Sequence, residues 1–134
     1  MEECVSQEVA EAEFERFVEA MEIDLDTTGL DEEEIRDTQQ DKTRIVRAIK
    51  NGRVTVNEGG LIAFVPRTDG AGPIIFHAPT GAALAAMDKK KGHHDVGKMY
   101  SSMASITRTS EATFSKMEMP DLKVCMAIWT LFLA

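Results

Sequence analysis

Little in this 134-residue chain offers a covalent or membrane-borne scaffold. It has two cysteines, Cys4 and Cys125, too few for a disulfide framework and suited to a reducing, cytoplasmic setting. Its longest apolar run, Val124 to Ala134 with Thr130 inside it, has 11 residues, where a membrane span needs about 20. No basic, then apolar, then small-residue start is present, so a signal peptide is not expected. Bases are the minority, with 15 Lys and Arg against 23 Asp and Glu and a formal net charge of −8. That sign is wrong for a protein whose main partner is a nucleic acid backbone. Membrane and nucleic acid therefore drop out as expected partners.

What is present is an ordinary globular balance, 43% hydrophobic and 28% charged, which excludes wholesale disorder and predicts one domain with one core. The charge is unevenly placed. Residues 1–50 carry 16 acids and 6 bases, whereas residues 51–134 carry 7 acids and 9 bases. An acidic, solvated N-terminal third is thus joined to a near-neutral remainder.

Periodicity divides the domain into an acidic helical part (1–51), a β-meander (53–77) and a helical part (80–134). Ala10, Phe14, Phe17, Val18 and Met21 form one helical stripe, with Glu8, Glu11, Glu13, Glu15 and Glu19 mostly off it. Asp31 with Glu34 reads as a cap for a second helix through Ile35, Ile45, Val46 and Ile49. The polar middle of that segment, Asp37 to Lys42, leaves open whether it is one helix or two. Arg53–Asn57, Leu61–Val65 and Pro73–His77 read as strands, joined by connections too short for a parallel crossover. From Thr80 the pattern turns helical, with starts at Thr80, Asp95, Ser110 and Pro120. The predicted fold class is α+β: N-terminal helices, a small three-stranded antiparallel meander and a helical C-terminal half.

Candidate chemistry is sparse. Asp24, Asp26 and Thr28 before Gly29 resemble the start of a calcium loop, but positions 8 and 12 would be Asp31 and Ile35, so the last ligand is missing and a helix linker is the better reading. His77, His93 and His94 are the only histidines, and they lack the spacing of a metal shell. Lys89-Lys90-Lys91 could grip a phosphate, but the run also suits a solvated helix end. The glycine-rich stretch Asp69–Gly72 runs into Pro73 and a strand rather than a helix, so it is no phosphate cradle. No nucleophile motif is present. The expectation is a protein without enzymatic activity, metal or cofactor.

The closing helix draws more notice. Leu122, Cys125, Met126, Trp129, Phe132 and Leu133 form one stripe and Val124, Ile128 and Leu131 a second. Two apolar sides imply either a central place in the fold or an interface. Eight methionines, six of them in the helical half, offer adaptable apolar surface. Met99, Met103, Phe114, Trp129 and Phe132 are the candidate interaction residues, for an oligomer or for a client.

Several short motifs carry a resemblance. A strand runs into Ala78-Pro79-Thr80-Gly81-Ala82-Ala83-Leu84, followed by Asp88. Ile106-Thr107 stands at a helix end, then come Phe114-Ser-Lys-Met117, Asp121-Leu122 and an apolar helix ending in Leu131-Phe132-Leu133. Over roughly its last 60 residues the chain resembles the tail assembly chaperones of long-tailed bacteriophages. It departs from them at Arg108, where that family tends to have Gly after the Thr, and in its acidic first 50 residues. The resemblance implies a non-enzymatic, multimeric protein of the host cytoplasm that coats the tape measure protein, keeps it soluble and recruits tail tube subunits. Competing expectations are a structural connector or tail completion protein, which would be found in virions, and a small metal-dependent enzyme built on His77, His93 and His94.

Overall fold

The computed structural model describes residues 5–67, 72–88 and 95–132. Helix α1 spans Gln7–Ala20, and its cap is Ser6, whose Oγ accepts from the Val9 N–H at 3.2 Å. Ala10, Phe14 and Phe17 form its buried stripe. Helix α2 runs unbroken over Glu32–Lys50. The Asp31 carboxylate accepts from the Glu34 N–H at 2.8 Å, and the acids Glu32, Glu33 and Glu34 sit at the positive end of the helix dipole.

The polar middle does not divide α2, because its long side chains still pack. Lys42 lays its stem toward α1, with Nζ 5.7 Å from the centre of the Phe14 ring and 3.8 Å from Glu15. A lysine can thus cover apolar surface while keeping its charge wet.

Strands β1 (Val54–Val56), β2 (Ile62–Phe64) and β3 (Ile74–Phe76) form an antiparallel meander in the order β1-β2-β3. Alternation sends Val54, Val56, Ile62, Phe64, Ile74 and Phe76 into the core. The register aligns Thr55, Ala63 and Ile75 in a row across the outer face. The β1–β2 turn ends at Gly60, whose φ of +83° is available to glycine at little cost. Arg16 on α1 fastens this turn by donating to the carbonyls of Asn57 at 2.9 Å and Val56 at 3.0 Å, while also pairing with Glu13.

The C-terminal half contains α3 (Gly81–Asp88), α4 (Asp95–Thr107), α5 (Glu111–Ser115) and α6 (Met119–Phe132). Thr80 Oγ1 accepts from the Ala82 N–H at 3.2 Å, as a helix start requires. The expected continuation of α3 to Lys91 and the Asp95 side-chain cap lie outside the described residues. Helix α4 closes in a Schellman arrangement: Thr109 N–H reaches the Ala104 carbonyl at 3.0 Å and Arg108 N–H the Ser105 carbonyl at 3.4 Å. Arg108 occupies the left-handed position there, at φ 57°.

Helix α6 lies at the centre of the molecule. It packs along α2, and Phe132 meets Phe17 of α1 edge-on at 5.5 Å between ring centres. Trp129 Nε1 donates to Ser102 Oγ of α4 at 2.8 Å. At its first turn, Asp121 accepts from the Arg67 backbone N–H at 2.8 Å. Leu122, Cys125, Ala127, Ile128 and Leu131 are all buried. The two apolar sides of this helix therefore come from a central place in the fold, and an interface is not needed to explain them. Among the described residues, no helix is long and apolar enough to cross a membrane.

Candidate functional site

Three of the five candidate interaction residues belong to the core. Met103 and Phe114 are 0% exposed and Met99 is 8% exposed, so they hold the fold together and leave no side chain for a partner. The reason is geometric: helical spacing identifies an apolar face without saying what already covers it, and here α4 and α5 turn that face inward. Trp129 and Phe132 are half-buried and packed on the core. Their polar and ring contacts are made within the chain, to Ser102 and Phe17.

Among the described residues, two of the three most exposed large apolar side chains lie instead on the α3–α4 hairpin, the third being Met119 at the start of α6. Helix α3 carries no charge before Asp88, and among its described side chains only Ala83 is buried. Leu84 is 58% exposed and Val96, at the start of α4, 57%. Between the two helices runs an open groove, closed at one end by Thr109, Ser110 and Glu111 and lined by Ala82 and Ala86 of α3 and by Ser101, Ala104 and Ser105 of α4. Side chains this small leave the backbones accessible, and a second helix can lie close to them. The signal was present in the sequence as small residues at i, i+3 and i+4 spacing, which lack the bulk or charge that marks a surface.

A second surface is polar. Arg44 and Arg47 of α2, Arg53 before β1, Arg67 after β2 and Lys123 of α6 surround a cleft floored by Phe64, Ala48 and Val124. Among the described residues, the one acid at this cleft is Asp121, itself 2% exposed and paired with Arg67 at 3.6 Å. Arg47 and Lys123 have no carboxylate partner among the described residues. The cations come from four separate stretches of chain, so only folding could bring them together.

The remaining candidates serve local structure. Asp24 Oδ1 accepts from the Asp26 N–H, and Asp26 Oδ1 accepts from the N–H and hydroxyl of Thr28, at 2.9, 2.9 and 2.7 Å. The would-be calcium ligands are thus engaged in turns of the helix linker. The Thr28 bonds hold the Asp26 carboxyl below its usual range. Burial lifts the Asp41 carboxyl above that range; neighbouring Arg44 opposes the shift and Asp37 adds to it. Cys125 is buried against Met117, and burial together with the Asp121 charge raises its thiol far above the ordinary value. It is therefore an inert core group. His77 is half-buried and its backbone N–H donates to the Ile106 carbonyl at 3.1 Å; His93, His94 and Lys89–Lys91 lie outside the described residues. Among those described, no three His, Cys, Asp or Glu side chains are grouped to hold a metal ion. No protein-family model, curated protein or solved structure matches this chain.

Proposed function

We propose that this chain is a non-enzymatic tail assembly chaperone that binds the helical tape measure protein, self-associates on it and recruits tail tube subunits in the host cytoplasm. The observation that carries the reading is the α3–α4 hairpin, which presents an open groove of mostly small residues and, elsewhere on its surface, the exposed Leu84 and Val96. An amphipathic helix laid into such a groove buries its own apolar face, and a long helical client offers many such faces. This surface replaces the buried Met99, Met103 and Phe114 in the proposal. The left-handed backbone at Arg108 adds support, because the resembled family tends to carry Gly there and Gly adopts that conformation freely.

Co-expression with the tape measure protein tests the reading. The chaperone should raise that protein's solubility and co-purify with it. Ala82→Arg and Leu84→Asp, both at exposed positions, should abolish co-purification while the variants melt like the parent. No gain in client solubility with the parent chain would refute the proposal. Recovery of the chain from purified virions would favour the connector or tail completion reading instead.

A further inference from the structure

The basic cleft and the acidic linker are complementary surfaces at opposite ends of α2. Residues 22–34 carry seven acids and no base, and all seven acidic side chains are exposed. The helix dipole accounts for acids in the first turn of α2 and bases in its last. It does not account for Arg53, Arg67 and Lys123, which join Arg44 and Arg47 from other parts of the chain.

Within one molecule the two surfaces cannot meet. From Glu32 to Arg47 the helix rises about 22 Å, more than twice the roughly 8 Å over which exposed charges act at physiological salt. Between them α2 presents one exposed polar stripe, Glu33, Arg36, Gln40, Thr43, Arg44 and Arg47, acidic at its start and basic at its end.

We propose that the cleft of one copy receives the acidic segment 22–34 of a second copy, and that two copies close about a two-fold axis with their α2 helices antiparallel. That arrangement satisfies both contacts at once and leaves neither charged surface unmatched. The pairing places an exposed, hydrated interface between the copies, so it is weak and strongly salt-dependent. It rests on the self-association part of the function proposed above and not on the client.

The test uses the purified chain alone, so its outcome is separate from client binding. Sedimentation velocity in low salt should give twice the monomer mass, and 1 M sodium chloride should return it to the monomer mass. Arg44→Glu with Arg47→Glu leaves the cleft with no net charge and should be monomeric in low salt, and Glu32→Lys with Glu33→Lys should weaken the pair. Mixing the two variants should pair them more strongly than the first variant pairs with itself, because the unchanged cleft of one then meets the unchanged acidic segment of the other. A single cooperative melting transition in each variant, lowered by no more than the lost helix-end charges account for, establishes that the changed side chains, all exposed, leave the fold intact. A monomer in low salt, an association indifferent to salt, or folded variants that fail to pair on mixing would each overturn the proposal.

Discussion

Substituting Gly60 by alanine isolates the contact that seats the meander on the first helix. Two costs add at this position. A left-handed residue with a Cβ is disfavoured by roughly 1–2 kcal/mol, and Gly60 sits at φ +83°. In addition, a Cβ built there lies under 3.0 Å from Ala20 Cβ, with the Arg16 carbonyl oxygen at 3.4 Å and Ala20 Cα at 3.7 Å. The turn cannot easily retreat, because Arg16 holds its carbonyls at Val56 and Asn57. Overpacking of this kind typically costs about 1–3 kcal/mol. Gly60→Ala should therefore destabilise the protein by about 2–5 kcal/mol, lowering Tm by on the order of 10 °C. Urea unfolding followed by the fluorescence of Trp129, the one tryptophan, measures the loss directly. Ala20→Gly removes the clashing methyl at an intrinsic cost of roughly 0.5–1 kcal/mol in a helix. In the Gly60→Ala background it should return the steric part and leave the conformational part, a favourable coupling of about 1–3 kcal/mol. Additive effects of the two changes, or a Gly60→Ala variant within about 0.5 kcal/mol of the parent, would show that the turn does not rest on α1.

Trp129→Phe keeps most of the ring but strands the fully buried Ser102 hydroxyl, and should cost about 1–3 kcal/mol in chemical denaturation; Ser102→Ala in the same background should recover part of that loss. Arg108→Gly should raise thermal stability, since relief of roughly 1–2 kcal/mol of left-handed strain exceeds the ~0.5–1 kcal/mol of extra chain entropy that glycine loses on folding. Asp41→Asn should stabilise at neutral pH and match the parent in strong acid. The folded carboxyl titrates higher than the unfolded one, so its contribution is favourable below the unfolded pKa and is lost as pH rises through the folded value. Denaturation midpoints of both chains from pH 3 to 7 check the sign.

Much of the architecture was legible in local chemistry. Ser6 and Asp31 each carry an oxygen that satisfies a free N–H at a helix start, and both cap in the structure. Alternation at Val54, Val56, Ile62 and Phe64 determined which face of the meander is buried. Capping and alternation act within a few residues, so composition and spacing record them directly. Whether α2 is one helix or two was not legible, because the answer depends on Lys42 finding Phe14 and Glu15 on a different helix.

The apolar stripes of the last two long helices show where local information ends. Periodicity identifies Met103, Trp129 and Phe132 as members of apolar faces, but says nothing of what lies opposite. Only the packed chain shows that Phe17, Ser102 and the sheet cover those faces, while Leu84 and Val96 stay in water. The same limit hid the basic cleft in an acidic chain. Its cations are spread over some eighty positions, and their charges sum to a local field only when four distant stretches converge. The order of helices and strands was therefore written in neighbouring residues. The surfaces left free for partners depend on which distant side chains fold over one another, and that is a property of the tertiary structure alone.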